Sequence, residues 1–596
     1  MSGFASIVNF DGAPVDLALL DRMTDVLEFR GPDGRHERLR DQAGFGFTLL
    51  RTTQESELEH QPCTFDQRVW IVGDVRLDAR DELAAQLQAH GRDAMLARPD
   101  IELVLHAYHV WGEACVEHLQ GDFAFVVWDA SGRRLFGARD HMGVRPFYYA
   151  VKGSTVLVSN TLDCIRCHPA VSARRNESAI ADFLLFEFNR DKATTFFEEI
   201  RRLPPGHCVL WTPQNQRMRQ YWKLPIEEPL RYRRFDDYTE HFRDLLRTAV
   251  RDRLRFPQAA IYMSGGLDSP AIAVTACSFQ DPASITAFTY TFDGFDQERH
   301  FAGLVARHLG IQHQIRDGIA EGVNEHWDAC RIRTPEPPSN PMLLDKDWAF
   351  ARGMARSHRV VFYGEGPDNA LWYEWQPYLR HLARQNRWGS LVGESLRHLI
   401  AHRRLPLLST VPAMLRERHL ESKLSKGYPD WLNPDFEARL KLRERWADAR
   451  NPMPEHPWRP VAYESLQRAD WQRFLESLDP AATGGPIEFR HPYLDIRLLR
   501  YMLAVPPLPW CRRKYLIRQA MGGLLPEVIL RRGKSPLYPD PWTALARKVG
   551  FRPLPQSAEL CRYIDPVKVP EGLPESLADF RESIRPRSLA FWLQSV

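Results

Sequence analysis

Apolar and polar positions divide the chain into two regimes. Up to about residue 215, short apolar runs alternate with turn residues. The segments 45–50, 69–75, 123–128, 135–138 and 155–159 each have strand length and strand composition. Between them, Asp100–Trp111 carries apolar residues at helical spacing. A proline-bearing and then basic stretch, 225–235, predicts a linker. Beyond it a helix over 238–254 leads into the apolar run Ala259-Ala260-Ile261-Tyr262-Met263. Then follow a helix over 270–277, a strand over 285–292, a helix over 299–309, and strands over 312–315 and 360–363. This βαβ alternation predicts a parallel, doubly wound sheet. We therefore expect an α/β protein of two domains, 1–220 and 221–596.

Ligands of such sheets sit beyond the strand C-termini, and two loops stand there. Ser264-Gly265-Gly266-Leu267-Asp268-Ser269 joins a strand to a helix. A turn of this kind aims backbone N–H groups and a positive helix end at one point, which suits phosphate. Glycines let the backbone approach an anion, and Pro270 fits a first helical turn. Asp268 fits beside phosphate when a divalent cation lies between them. The spacing and the lysine of a Walker A loop are absent. Gly364-Glu365-Gly366-Pro367-Asp368 follows the strand over 360–363, so both loops are expected in one crevice.

Composition narrows the class. An apolar share of 44% with 26% charged residues is ordinary for a globular chain, and 596 residues suit two to four domains. No apolar run approaches the ~20 residues of a membrane span, and no signal peptide is evident. Nine scattered cysteines imply reduced thiols and a cytoplasmic location. Cys164-x-x-Cys167 has no second pair to complete a zinc site. A net charge of +3 gives no reason to expect nucleic acid.

Further segments join the hexapeptide: Leu119-Gln120-Gly121-Asp122-Phe123, Gly137-Ala138-Arg139-Asp140, Leu203-Pro204-Pro205-Gly206-His207, Glu488-Phe489-Arg490-His491-Pro492-Tyr493-Leu494-Asp495 and Arg531-Arg532-Gly533-Lys534. In this order the chain resembles glutamine-dependent asparagine synthetases of the B type over nearly its whole length. The resemblance implies an N-terminal Ntn-type α/β sandwich of glutaminase ancestry. It also implies a C-terminal ATP-pyrophosphatase domain (adenine nucleotide α-hydrolase-like) that uses ATP and Mg²⁺. It assigns Asp268 and Asp368 as metal ligands and Lys534 as the catalytic lysine. Lys514 becomes a pyrophosphate contact, and 264–269 with Gly364 the nucleotide loops. Glu365 is either a general base for the attacking amine or a structural carboxylate.

The departures are informative. Where the family has its N-terminal cysteine nucleophile, this chain has Ser2. Val72 replaces the oxyanion asparagine and Leu49 the arginine that clamps glutamine, while Asp100 remains at the amine-binding position. An inactive glutaminase is the expectation. Small residues in Asp479-Pro480-Ala481-Ala482-Thr483-Gly484-Gly485-Pro486 suggest a pocket roomier than free aspartate needs. Gly364-Glu365-Gly366-Pro367-Asp368-Asn369-Ala370-Leu371 is similar to lasso peptide cyclases, which close a macrolactam in a ribosomal peptide. That likeness implies a precursor peptide, a leader peptidase and a leader-binding protein as partners. The rivals are a β-lactam synthetase relative, an ammonia-using asparagine synthetase and a non-catalytic scaffold. Finally, the stretch 380–426 holds ten cations against three acids, a net +7, with leucines at helical spacing. It predicts a basic helical insertion that is either a solvated face or a dock for an acidic peptide or partner.

Overall fold

The computed structural model describes residues 1–92, 96–291, 297–317, 327–406, 427–449, 455–533 and 541–595. The N-terminal region is a sandwich of two antiparallel sheets. One runs in the order Gly34–Arg40, Ala43–Leu49, Gly3–Asn9, Thr155–Ser159, Tyr148–Lys152, Arg201–Arg202. The other runs Gln216–Gln220, His207–Trp211, Arg134–Arg139, Gln120–Asp129, Val69–Asp78. Strand alternation explains the layers. Phe4 and Val8 point into the space between the sheets with Phe47, Val72 and Val126, whereas Ala5 and Ile7 face the opposite side. That opposite side is covered by helices Leu17–Asp25 and Glu177–Phe186, and also by Trp431, Leu589 and Trp592 from far downstream.

The C-terminal region holds a five-stranded sheet in the order Gln312–Asp317, Ile285–Thr291, Ala259–Tyr262, Val360–Tyr363, Glu488–Arg490, parallel throughout. Its short central strands are apolar because helices cover both faces. Phe235–Arg253, Asp268–Ala276 and Ile496–Ala504 pack on one face and Leu344–Ala355 on the other. The chain steps outward from Ala259–Tyr262 and returns beside it at Val360–Tyr363. The switch in strand order therefore lies between those two strands, where open α/β sheets bind ligands.

A buried polar seam joins the two regions. Arg253, 2% exposed, bonds Asp78 of the sandwich and Asp495 of the synthetase region, both at 2.8 Å. Arg145 reaches Glu488 at 3.0 Å, and Glu488 takes a second bond from Arg490 at 2.6 Å. Arg490 and Asp495 thus shape the interface. Among the described residues no helix is long and apolar enough to cross a membrane.

Candidate active site

Each central strand delivers one loop to the switch point. After Tyr262 the chain turns through 264–267 into the helix Asp268–Ala276, with Asp268 in its first turn and Pro270 two residues on. After Tyr363 it turns through Gly364–Gly366 into the short helix Pro367–Ala370, which carries Asp368. The loops touch: a Cβ on Gly364 would lie 3.0 Å from the Ser269 nitrogen. Gly366 takes φ 133°, and a Cβ there would meet the Tyr493 Cβ at 2.9 Å, so glycine is required. The Tyr493 hydroxyl in turn donates to the Asp268 carbonyl at 3.0 Å.

The two aspartates converge on one cation. Lys514 Nζ bonds Asp268 Oδ2 and also lies 2.8 Å from Asp368 Oδ1. Burial works against the ammonium charge, but the two carboxylates outweigh it and raise the Lys514 pKa. Lys514 and its neighbour Arg513 both adopt left-handed backbone, φ 56° and 51°. Such geometry in non-glycine residues costs on the order of 1–2 kcal/mol each and persists where surroundings enforce it. Two hard carboxylates able to share one nitrogen can also share a divalent cation brought in with ATP. The donor set therefore fits Mg²⁺, with Asp268 and Asp368 as the residues that would hold it.

Other expected residues are placed differently. The Leu267 side chain is buried in the core, so only its backbone can serve a nucleotide. The loop N–H groups are already bonded here: Ser264 to the Ser269 hydroxyl at 3.0 Å, Gly265 to Glu298 Oε2, and Gly266 to the Ser264 hydroxyl at 3.2 Å. The turn is built, but those three donors would have to change partners to meet phosphate. Glu365 is half-buried beside Tyr363, whose hydroxyl pKa is pushed up to about 12 by burial and then by the Glu365 charge. Lys534, the expected catalytic lysine, lies outside the described residues. So do residues 407–426 of the basic stretch; its described part is helical, including Trp388–His402.

The structure adds residues that the sequence reading passed over. Arg532 donates to the Gly265 carbonyl, pairs with Glu298 at 3.1 Å and covers the Phe301 ring at 4.1 Å. It stands next to the motif lysine, but nothing in Arg531-Arg532-Gly533-Lys534 says which arginine turns inward.

At the glutaminase positions, the Ser2 hydroxyl accepts from the Leu50 N–H at 3.1 Å, and Leu49 and Val72 are core residues. Asp100 does not remain available to an amine. It accepts from the Leu77 N–H at 2.8 Å and is locked between Arg80, at 2.8 Å, and Arg255. Asp479 and residues 481–483 border a cavity of about 790 Å³ whose lining includes neither nucleotide loop nor Lys514.

The sandwich, the parallel sheet and two carboxylate-bearing loops at its switch point together describe an amidotransferase-like domain fused to an ATP-using amide synthetase. Comparison with known families agrees. Residues 1–222 match the glutamine amidotransferase domain model, and residues 241–593 match asparagine synthase. The chain belongs to the asparagine synthase family, whose members are ATP-dependent amide-forming ligases. It is 26% identical over 565 residues to an asparagine synthetase (glutamine-hydrolyzing) of Bacillus subtilis, covering 90% of this chain and 87% of that one. It is 31% identical over 590 residues to the amidase chry2 of Gibberella zeae, covering 87% and 84%. The amidase chyE of Penicillium rubens is 24% identical over 596 residues, again covering 87% and 84%.

Proposed function

We propose that this protein is a lasso peptide cyclase. It adenylates an Asp or Glu side chain of a leader-cleaved peptide and joins it to the peptide's own N-terminal amine. One contrast carries the reading. The cluster of Asp268, Asp368 and Lys514 is assembled, while Leu49, Val72 and the locked Asp100 offer glutamine neither clamp, oxyanion donor nor amine site, and Ser2 stands where the family has its cysteine. The amine must then come from a source other than glutamine. The likeness of Gly364–Leu371 to lasso cyclases supports a peptide substrate.

A carboxylate is a poor acyl donor, so its oxygen attacks the α-phosphorus of ATP, and pyrophosphate leaves. Asp268 and Asp368 would hold the divalent cation that accompanies the phosphates and offsets their charge, and Lys514, which bridges the two aspartates, would meet the charge of the departing pyrophosphate. The α-amine, with an ordinary pKa of about 7.7–8.0, is partly neutral near pH 8. It adds to the acyl carbon, and Glu365 takes one proton. AMP leaves and the isopeptide remains. Lys534 supplies a cation where negative charge builds during that addition, so Lys534→Ala should lower product formation at least about 10²-fold with ATP still bound. Holding the tail threaded while the ring closes is positioning work by the enzyme. A precursor peptide, a leader peptidase and a leader-binding protein are the partners this reading requires.

The test uses ATP, Mg²⁺ and the leader-cleaved peptide encoded beside this gene. The expected product is lighter by one water, with tandem mass spectra placing the link between the N-terminal amine and an Asp or Glu side chain. Acetylating the amine should block ring closure. The asparagine synthetase relatives favour a second outcome, in which free aspartate rather than a peptide is converted to its amide. Conversion of free aspartate and ammonia to asparagine, with no peptide cyclised, would overturn the lasso reading.

A further inference from the structure

The cavity of about 790 Å³ lies between the two regions of the chain. On the synthetase side it is bounded by the proline-rich stretch 334–338 and by residues 481–483. On the other side its wall comes from the amidotransferase-like domain, through Tyr148, Phe183, Phe188, Phe196 and Arg202. The catalysis described above uses none of these residues.

Three features describe what it would hold. First, its surface is mostly apolar and aromatic. Second, most of its charges are already matched by one another: Arg202 bridges Glu336 at 2.5 Å and Glu476 at 2.9 Å, Arg30 pairs with Asp479 at 2.5 Å, and Arg581 and Arg473 share Glu187 at 3.6 and 4.0 Å. A charged ligand therefore finds no unmatched partner in these pairs, whereas a neutral apolar one desolvates little. Third, the helix Ala469–Ser477, which supplies Gln472, Arg473 and Glu476 to the wall, also carries Phe474. The Phe474 ring meets Tyr363 at 5.5 Å, edge on. Tyr363 directly precedes Gly364 and stacks on Tyr262 at 5.5 Å. The cavity wall thus abuts the ends of both strands that carry the nucleotide loops.

We propose that this cavity is the chamber for an apolar, aromatic-bearing segment of the acyl substrate, and that the amidotransferase-like domain has become its recognition wall. The ligand's identity as a peptide rests on the cyclase reading; the chamber itself does not. Tyr148, 5% exposed, keeps its hydroxyl protonated, because burial raises its pKa and Glu476 adds to that. It serves as a neutral donor to a backbone carbonyl of the bound segment.

The test uses the neutral fluorescent probe N-phenyl-1-naphthylamine on the full-length protein. The probe should bind with enhanced emission, and the leader-cleaved peptide should displace it. Thr483→Trp, which fills the chamber, and Phe188→Ala, at its half-buried edge, should each weaken probe binding and raise the peptide KM about tenfold. The KM for ATP should not move. Tyr148→Phe should raise the peptide KM several-fold with kcat nearly unchanged, on the scale of one hydrogen bond. Thermal midpoints verify that each variant is folded, and Phe188→Ala stands if Thr483→Trp does not fold. If the peptide is cyclised but neither displaces the probe nor responds to these variants, the chamber proposal is wrong and the cyclase reading stands. If the peptide displaces the probe and is not cyclised, the reverse holds. If it does neither, both fail.

Discussion

At the scale of single residues, the site turns on two carboxylates and the ammonium between them. Asp268→Asn or Asp368→Asn should lower substrate-dependent pyrophosphate release at least about 10²-fold, with the circular dichroism spectrum unchanged. Release at the wild-type rate by either variant would show that its carboxylate holds no cation. Both aspartates were visible in the sequence because each follows a glycine turn at the end of an apolar strand. Lys514 was visible only through the family likeness. Its reach across the site depends on two successive left-handed residues, and no periodicity encodes those. Arg532 went unread for a related reason: an arginine's sequence neighbours do not reveal whether it points to solvent or to a loop carbonyl.

At the scale of an element, the helix Trp388–His402 is unusual in leaving an apolar row outside. Trp388, Val392, Leu396 and Ile400 are 59, 63, 53 and 72% exposed. Its acid does the opposite. Glu394 is buried and pairs with Arg397 at 3.1 Å. Burial, opposed by Arg397 and Arg231, pushes its pKa up to about 7. An unfolded glutamate titrates near 4.3. The neutral form is thus favoured in the fold, so its contribution is fully present below about pH 4.3 and is lost as pH rises through 7. Amide-exchange protection of this helix, corrected for intrinsic rates, should therefore fall between pH 5 and pH 8. Glu394→Gln should flatten that profile; an identical profile in the variant would assign the effect to another group. The helical spacing of leucines announced a helix here. Which of its faces is covered was not legible, because a period defines a face and not what lies against it.

At the scale of the whole molecule, the buried seam makes the two regions one unit. Arg253→Ala would remove the cation that Asp78 and Asp495 share, leaving each with one arginine, Arg76 at 2.6 Å and Arg497 at 2.7 Å. We expect a loss of about 2–3 kcal/mol in denaturant unfolding, the scale of hydrogen bonds to charged groups; a shift below about 1 kcal/mol would mean that Arg253 adds little to the interface. The amidotransferase-like domain should release no glutamate from glutamine, and Ser2→Ala should leave amide synthesis unaltered. Glutaminase turnover that depends on Ser2 would restore the lost activity. The parallel pairing of the C-terminal sheet, the positions of several strands and the linker between the regions followed from alternation and turn residues, whereas the order of strands in the sheets did not. The seam did not, because arginines and aspartates of ordinary spacing show their pairing only once the chain has brought them together.

The helix Leu577–Ser595 has a consequence for how the molecule is made. Leu589 and Trp592 complete the apolar layer against the N-terminal sheet, and Arg585 donates to the Leu185 carbonyl, 400 residues earlier in the chain, at 2.6 Å. A ribosome adding about 5–20 residues per second would leave that layer uncovered for roughly 20–80 s after residue 185 is joined. The domain translated first is therefore completed last. Until then an apolar surface waits for its cover, and chaperones or self-association can compete for it during each round of synthesis.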